Sequence, residues 1–435
     1  SGQTNTGLLV WSIINLVLCC MPLGIAGLVM TLNAKNCMSM EEERSWTEIN
    51  LNHLAHNVSV IRKKTGKNVK MLGVVKSDAY GHGVVEIAKK LQQLGADYLA
   101  TACLKEASEL RQSGVTLPIL ILSHTSASQA EELIAFDAMP TVFDLDFARK
   151  LNQQAKGRKI KVHLKIDTGM TRLGFHFCND GSASDLQTIH DICEAANLPN
   201  LEIEGIFSHF ASSDEEEGQN YTNMQFTRFT ALIKKLEDRG LHIPIKHICN
   251  SAATLLHPEM HLDMVRCGII LYGAYPSAYV KEQLSSDEML KPLLSFKAKV
   301  TQTRTIPKDV CISYGRKYTT TSEEKVAVVS AGYADGFRRM LSDSFHVLIR
   351  GKYAPIRGTV CMDQTVVGIS EIPGVQPMDT ATLIGRDGES EITVDEMAKA
   401  LHTINYEIFC LIGRRVPRIY LEDNKIVAKT EYLNY

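Results

Sequence analysis

Residues 70–83, KMLGVVKSDAYGHG, decide the fold of this chain. The first half is a short apolar run with the length and composition of a buried strand. The second half begins at Lys76 and turns at Gly81 and Gly83, and an amphipathic stretch with helical spacing follows at residues 84–94. A strand that ends in a polar turn and leads into a helix is one β-α unit of a parallel sheet.

The same unit recurs along the chain. The eight predicted strands are residues 70–76, 97–102, 118–122, 140–143, 161–167, 203–209, 245–250 and 264–270, with helical stretches such as 84–94 and 223–239 between them. Eight β-α units favour a closed barrel. The rival is an open doubly wound sheet, but no Gly-x-Gly-x-x-Gly turn follows the first strand, as a dinucleotide-binding fold would favour. We therefore predict an α/β fold with an eight-stranded (β/α)8 barrel over residues 45–285.

A second domain is predicted beyond residue 285, where the helical spacing largely disappears. Runs at 296–304, 325–330, 346–349 and 353–362 read as strands joined by turns, and one helical stretch at 394–400 interrupts them. We expect a mostly β C-terminal domain over residues 286–435.

The N-terminal region differs from the rest of the chain, because residues 1–34 contain no Asp, Glu, Lys or Arg. Residues 7–32 are mainly apolar and long enough to cross a membrane as a helix, so residues 1–40 are predicted to be a hydrophobic segment and a candidate membrane anchor. A signal peptide is disfavoured because no basic region precedes residue 7. The alternative is an upstream extension of an enzyme that starts at Met38 or Met40.

The string LVWSIINLVLCCMPLGIAGLVMTLNAKN, residues 9–36, resembles the first membrane segment of dispanin (interferon-induced transmembrane) proteins. In that family a second segment follows, whereas here the acidic residues 41–43 follow. The resemblance implies that Cys19 and Cys20 are candidates for lipidation, and packed side chains are the alternative.

Charge and cysteine content exclude several classes of function. Lys+Arg 47 against Asp+Glu 49 gives a net charge of -2, which provides no electrostatic reason for a nucleic-acid partner. The 11 cysteines form no Cys-x-x-Cys pair and no Cys/His cluster at zinc spacing. We predict no disulfide framework and no metal site, and we expect most cysteines to be small buried residues in a reducing compartment.

Lys76 is the first candidate for chemistry, because reactive groups of a β/α barrel lie at the C-terminal ends of its strands. Burial there favours the neutral amine, which is a nucleophile for a carbonyl such as that of pyridoxal phosphate. The alternative is an ordinary lysine at a strand end.

The string VVKSDAYGHG, residues 74–83, resembles the pyridoxal-phosphate attachment motif of alanine racemases, which are fold-type III enzymes. Further matching strings follow in the family's order: KIDTGMTRLGF (165–175), SHFASSD (208–214), HICNSA (247–252), VRCGIILYG (265–273), ISYG (312–315), GYADGF (332–337), RGTVCMDQ (357–364) and TINYEI (403–408). The resemblance covers residues 46–420. It implies a barrel followed by a β domain, pyridoxal 5'-phosphate, a homodimer with shared active sites, and interconversion of L-alanine and D-alanine for peptidoglycan.

The resemblance also implies two acid/base groups, since racemisation removes a proton from one face of Cα and returns it to the other. Lys76 would hold the cofactor and act on one face, and Tyr314 from the partner subunit would act on the other. Arg266 would face the pyridine nitrogen, which should stay unprotonated beside a guanidinium. The other implied cofactor-binding residues are Tyr80, His209, Ser251, Gly268, Ile269 and Tyr406.

Substrate contacts and supporting roles follow from the same resemblance. Arg172 and Met362 would bind substrate, and the supporting residues would be Lys165, His247, Asn250, Asp363 and Tyr333. Carbamylation would turn Lys165 into an anion that attracts Arg172. Thr171 stands where the family usually has glycine.

Two alternatives in function remain from the sequence. One is a serine or broad-specificity racemase of the membrane-anchored type, against which stand Tyr406 and the presence of at most one membrane segment. The other is a non-catalytic pyridoxal-phosphate-binding protein, against which stands the β domain with Tyr314. We expect a cytoplasmic catalytic domain, because the cofactor and cell-wall precursors are made there, with candidate membrane association through residues 7–32.

Overall fold

The computed structural model describes residue 40 and residues 43–433. The predicted anchor, including Cys19 and Cys20, therefore lies outside the described residues except for Met40. Within the described ranges, no helix combines the length and the apolar character needed to cross a membrane.

The first described strand, β1 (Ser45–Asn50), precedes a barrel of parallel strands. The barrel strands are β2 (Lys70–Val74), β3 (Tyr98–Thr101), β4 (Ile119–Ile121), β5 (Ala138–Val142), β6 (Ile160–Asp167), β8 (Leu201–Phe207), β9 (Ile245–His247) and β10 (Met264–Cys267), and the short β7 (Phe175–His176) pairs with β6. Each lies on one of the eight predicted runs, so the (β/α)8 prediction is confirmed. β10 pairs with β2, and at the seam next to β9 the backbone N–H of Arg266 donates to the carbonyl of Cys249 at 3.1 Å.

Helices cover the barrel and alternate with its strands. They are α1 (Leu51–Thr65), α2 (Val84–Gln93), α3 (Leu104–Gln112), α4 (Ala130–Ala135), α5 (Leu145–Gln154), α6 (Ala183–Ala196), α7 (Gln219–Glu237), α8 (Ser251–Leu256) and α9 (Ala278–Glu282). In α2, Val84, Ile87 and Leu91 are buried at helical spacing, which turns one apolar face to the sheet. The predicted helices at 84–94 and 223–239 correspond to α2 and α7.

The C-terminal domain is mostly β, as predicted. Its strands are β11 (Leu294–Ile306), β12 (Cys311–Ile312), β13 (Tyr318–Thr319), β14 (Glu324–Val329), β15 (His346–Ile349), β16 (Lys352–Pro355), β17 (Thr365–Gly368), β18 (Thr380–Asp387), β19 (Ser390–Ile392), β20 (Arg418–Glu422) and β21 (Lys425–Thr430), and its helices are α10 (Val394–Ala400) and α11 (Asn405–Cys410).

Two local predictions in this domain were wrong. The run at 353–362 is a strand only to Pro355, because residues 357–364 turn instead of pairing along a ladder. Only one helical stretch was expected, and α11 was missed because six residues are too few to show a helical period.

β1 belongs to the sheet of the β domain, although the barrel follows it in the sequence. It pairs antiparallel with β11 and parallel with β20. The barrel and the β domain are parts of one compact unit that begins at Ser45. The domain limits 45–285 and 286–435 stay predictions. The strand β1 falls within the first range but pairs with strands of the second.

The expectation that most cysteines are buried was wrong for the described part of the chain. Cys249 and Cys267 are buried, whereas Cys103, Cys178, Cys193, Cys311, Cys361 and Cys410 are partly or fully exposed. Cys410, for example, follows Tyr406 by one turn of α11 and faces a cavity instead of the core. All eight are free thiols.

Candidate active site

The chain turns in an unusual way directly after Lys76. Ser77, Asp78, Ala79 and Tyr80 all have φ between 51° and 55°, so they form one turn of left-handed helix, and Gly81 continues it at φ 75°. Such a turn costs about 1–2 kcal/mol for each non-glycine residue. Neither the strand nor the motif predicted it, and the only local signal was the pair of glycines that follows.

The left-handed turn is held by contacts on both sides. The backbone N–H of Ser77 donates to Glu106 Oε1 at 2.8 Å, and His82 Nδ1 lies 2.8 Å from the carbonyl of Tyr80. The turn places Tyr80 in the lining of the same cavity as Lys76, with its ring centroid 6.0 Å from that of Tyr406.

A cavity of about 590 Å³ opens at the C-terminal ends of the barrel strands. The structure brings ten of the predicted site residues together in its lining: Lys76, Tyr80, Lys165, Arg172, His209, Asn250, Ser251, Arg266, Gly268 and Tyr406. Further lining residues were not predicted, among them Ser123, His124, Phe207, Asp214 and Cys410. Asp214 ends the motif SHFASSD and could have been found from it, whereas Cys410 lies beyond the motif TINYEI and joins the cavity through the helix α11, which the sequence did not show.

Basic side chains outnumber acidic ones in the lining of the cavity. Lys76, Lys165, Arg172 and Arg266 line it, whereas Asp214 contributes a carboxylate. Burial and the nearby Arg172 lower the pKa of Lys76. The cavity therefore suits an anionic ligand and offers it an amine that deprotonates more readily than a surface lysine.

Arg266 is buried at the end of β10 and is held by several acceptors. Its Nη2 donates to the carbonyl of Ser208 at 2.7 Å, to the carbonyl of Ile248 at 2.9 Å and to His209 Nδ1 at 3.0 Å. Its Nη1 donates to His247 Nδ1 at 3.1 Å. Burial lowers the pKa of Arg266 to about 10, so the guanidinium is still charged near neutral pH.

The contact with Arg266 determines the tautomer of His247. Since a guanidinium only donates, His247 Nδ1 must accept and Nε2 carries the proton, which it donates to His163 Nδ1 at 2.9 Å. Burial and the charge of Arg266 hold the pKa of His247 well below its usual range. Both histidines are therefore neutral, and together they brace Arg266 from inside the barrel.

Lys165, on β6, is a second buried basic side chain. Its Nζ donates to the carbonyl of Ile166 at 3.2 Å and lies 4.9 Å from the ring centroid of Phe207. Burial, together with Arg266 and Arg172, lowers its pKa well below the ordinary value. This environment favours the neutral form of the Lys165 amine more than solvent does.

A small polar cradle lies at the ends of β9 and β10. The backbone N–H of Gly268 donates to Ser251 Oγ at 2.9 Å, and a Cβ atom at Gly268 would lie 2.7 Å from the hydroxyl of Tyr80. The absence of a side chain at Gly268 keeps this space open between two hydroxyl groups. Ile269 follows, buried, at the start of a short 3-10 segment.

The remaining predicted residues lie outside the cavity, on the β domain. Tyr314 is 70% exposed, and its carbonyl accepts a hydrogen bond from Thr359 at 2.8 Å. Met362 and Tyr333 are also exposed, and Asp363 pairs with Arg415 at 2.6 Å. One chain therefore carries two groups of predicted site residues, one in the barrel cavity and one on an exposed face.

Comparison with known proteins identifies the family. The model of the alanine racemase N-terminal domain matches residues 49–276, and the model of the C-terminal domain matches residues 293–420. The chain belongs to the alanine racemase family. Alanine racemase 2 of Caldanaerobacter subterraneus is 45% identical to this racemase-family chain over 388 residues, covering 89% of it and 97% of the relative. Alanine racemase of Clostridium perfringens is 43% identical over 390 residues, covering 89% and 98%.

Solved structures of the alanine racemase family share the fold over about 90% of this chain. Alanine racemase of Clostridium difficile superposes with a TM-score of 0.84 at 42% identity, covering 90% of this chain and 100% of that one. The enzyme of Bacillus anthracis with bound L-Ala-P superposes with a TM-score of 0.82 at 35% identity, covering 90% and 98%. The recognition from the sequence motifs is thus confirmed.

Proposed function

We propose that this chain is an alanine racemase that interconverts L-alanine and D-alanine with pyridoxal 5'-phosphate. The observation that carries the proposal is the position of Lys76, at the end of a barrel strand in a cavity that is also lined by Arg172, Arg266 and a second lysine, Lys165. The curated relatives that match nearly the full length of the racemase domains are named alanine racemases.

The cavity fits the cofactor by its charge and by its donors. A dianionic phosphate suits the excess of positive charge, and the cradle at Gly268 offers a backbone turn between the hydroxyls of Tyr80 and Ser251. Burial raises the pKa of Tyr80 and Tyr406, so both stay protonated donors. Ser251, Gly268 and Ile269 would hold the phosphate with these tyrosines.

When bound, pyridoxal phosphate would supply an electron sink that makes the Cα proton of alanine acidic. Lys76 would hold the cofactor and move a proton on one face of Cα, because its lowered pKa favours a neutral amine. Arg266 would face the pyridine nitrogen, and His209, which accepts a hydrogen bond from this guanidinium at 3.0 Å, would pack against the face of the ring. Asn250 supports the turn after β9, where its side chain accepts from the backbone of Ala253.

Tyr314 would supply the second acid/base group from another copy of the chain. It is exposed and outside the cavity of its own chain, together with Met362 and Tyr333. A two-fold dimer that places this face over the partner's cavity would complete both sites by the same contact. Met362 and Asp363 would then approach the substrate, and Tyr333 with Tyr406 would narrow the entrance to suit a small amino acid.

Lys165 would act as a carbamate. Its neutral amine can attack carbon dioxide, forming an N–C bond and releasing one proton, and the product carries a negative charge. This anion would attract the nearby Arg172, and the resulting ion pair would orient the guanidinium towards the substrate.

The biological role follows from the product. We infer that D-alanine is supplied for peptidoglycan and that the racemase domain is cytoplasmic, where the cofactor and the precursors are made. Membrane association through residues 7–32 stays a prediction from the sequence.

The test uses the full chain loaded with pyridoxal phosphate. We expect rapid D-alanine formation from L-alanine, slow turnover of L-serine, and loss of racemisation in Lys76→Ala and in Tyr314→Phe. Faster turnover of serine would favour the broad-specificity alternative, and cofactor binding without turnover would favour the non-catalytic one.

Mixing the two inactive variants tests the shared site. Half of randomly paired dimers contain one chain of each kind, and each mixed dimer has one intact site of two, so about a quarter of the activity should return. If Tyr314 acted within its own chain, no mixed dimer would contain an intact site and no activity would return.

A further inference from the structure

Tyr432, in the segment after β21, reaches back to the left-handed turn that follows Lys76. Its hydroxyl donates a 2.5 Å hydrogen bond to Asp78 Oδ2. The two residues are 354 positions apart in the sequence, and the contact joins the segment after the last described strand directly to the turn. Neither residue belongs to the predicted site.

Asp78 is central to the left-handed turn. Its Oδ1 accepts the backbone N–H of Val84 at 2.9 Å, and its carbonyl accepts the N–H of Gly83 at 2.9 Å. One carboxylate oxygen therefore ties the turn forward to the start of α2, and the other ties it to Tyr432. Since the left-handed conformation is costly for residues 77–80, contacts of this kind must hold it.

Arg418 braces the ring of Tyr432 on the same side. It is 1% exposed, its Nε donates to the carbonyl of Gly81 at 3.0 Å, and its Cζ lies 5.2 Å from the ring centroid of Tyr432. A Cβ atom at Gly83 would lie 1.7 Å from the hydroxyl of Tyr420, so the strand β20 is packed tightly on the end of the turn. The ring of Tyr432 thus has a fixed place against the turn.

We propose that Tyr432 is a positioning residue for Lys76, acting through Asp78 to keep residues 77–81 in the left-handed conformation that directs the amine into the cavity. The inference rests on the proposed function only for the statement that Lys76 is the attachment point of the cofactor. The position of the turn itself is a property of the protein without the cofactor.

The variant Tyr432→Phe removes the hydroxyl and leaves the ring. In the apoprotein we expect hydrogen exchange of the backbone at residues 77–84 to become about tenfold faster, since a hydrogen bond to a charged group is lost. In a titration with pyridoxal phosphate we expect the dissociation constant to rise about five- to tenfold. Exchange in the barrel strands β4 and β5 should not change.

The matched control is Tyr353→Phe, which removes a hydroxyl that donates to the carbonyl of Glu391 at 3.2 Å in the β domain. It should leave both measurements unchanged. The contrary result is that Tyr432→Phe unfolds at a lower temperature than the parent while its hydrogen exchange at residues 77–84 and its cofactor affinity equal those of the parent. This result would indicate a purely structural contact and overturn the proposal.

A second pair of variants tests the route through Asp78. Asp78→Asn keeps an acceptor for the backbone N–H of Val84 and an amide that can bond to the hydroxyl of Tyr432. We therefore expect it to change hydrogen exchange and cofactor affinity less than Asp78→Ala does. Asp78→Ala should have the full effect, and adding Tyr432→Phe to it should change little more. Additive effects would overturn the route. If the parent chain bound no pyridoxal phosphate, the proposed function would fail, while the exchange measurement would still decide the role of Tyr432.

Discussion

Arg266 Nη1 donates to His247 Nδ1 at 3.1 Å, and this contact makes a neutral histidine the inner support of a buried guanidinium. The same guanidinium also reaches the carbonyls of Ser208 and Ile248. The planar fork reaches these acceptors from two separate nitrogens, Nη1 and Nη2, whereas a lysine would present its donors from one nitrogen.

Arg266→Lys should therefore retain the positive charge and lose most of the contacts. We expect kcat for alanine to fall about 100-fold, because the charge would no longer be held at one position. Arg149→Lys, at an exposed ion pair with Glu194, is the control and should leave kcat unchanged. Near-normal kcat in Arg266→Lys would mean that charge alone suffices.

Thr171 has a φ of 54°, although it is β-branched, and the carboxylate of Asp167 accepts its backbone N–H at 2.9 Å. Thr171→Gly should raise the free energy of unfolding by about 1 kcal/mol, because glycine adopts this conformation without strain. Chemical denaturation measures the change. Thr227→Gly, in the helix α7, should instead lower stability by about 0.4 kcal/mol.

The amine of Lys76 should react with the cofactor in its neutral form. Because burial and Arg172 lower its pKa, attachment of pyridoxal phosphate to the apoprotein should become faster with rising pH, with a midpoint below 10.5. Arg172→Ala removes a nearby cation and should move the midpoint to higher pH, whereas Arg172→Lys should not. Stopped-flow absorbance measures the rate, and an unshifted midpoint in Arg172→Ala would contradict the electrostatic cause.

Buried histidines should make the protein less stable in acid. Burial lowers the pKa of His82 to about 3, below the unfolded value of about 6.5, so the unfolded chain takes up the proton first. The contribution of neutral His82 to the free energy of unfolding is fully present above pH ~6.5, and it should decline by about 1.4 kcal/mol per pH unit below that pH. Denaturation of His82→Asn at pH 6.5, 5.5 and 4.5 should show a smaller decline than the parent, and an equal decline would contradict this cause.

Carbon dioxide should modify Lys165. Intact-mass measurement under bicarbonate should show a gain of one carbon dioxide, and degassing at low pH should remove it. Lys165→Met should show no gain, while Lys89→Met, at an exposed helical ion pair, should keep it. A gain that persists in Lys165→Met would place the modification elsewhere.

The eight strands and the polar residues at their ends could be predicted because each strand is marked by a short, continuous stretch of sequence. An apolar run of four to eight residues bounded by turns is visible in the sequence, and the residue that ends it, such as Lys76 or Arg266, lies at the C-terminal edge of a parallel sheet whatever its neighbours are. The order of motifs was sufficient to name the family, and the comparisons confirmed it.

Several features of the protein could be found only from the tertiary structure. The sequence alone determined the fold class, the lysine at the end of the first barrel strand and the family. The left-handed turn at residues 77–81, the pairing of β1 with β20, the tautomer of His247 and the contact between Asp78 and Tyr432 were decided only by packing. The physical reason is distance along the chain: each of these depends on groups far apart in sequence, whose energies outweigh what the local residues prefer.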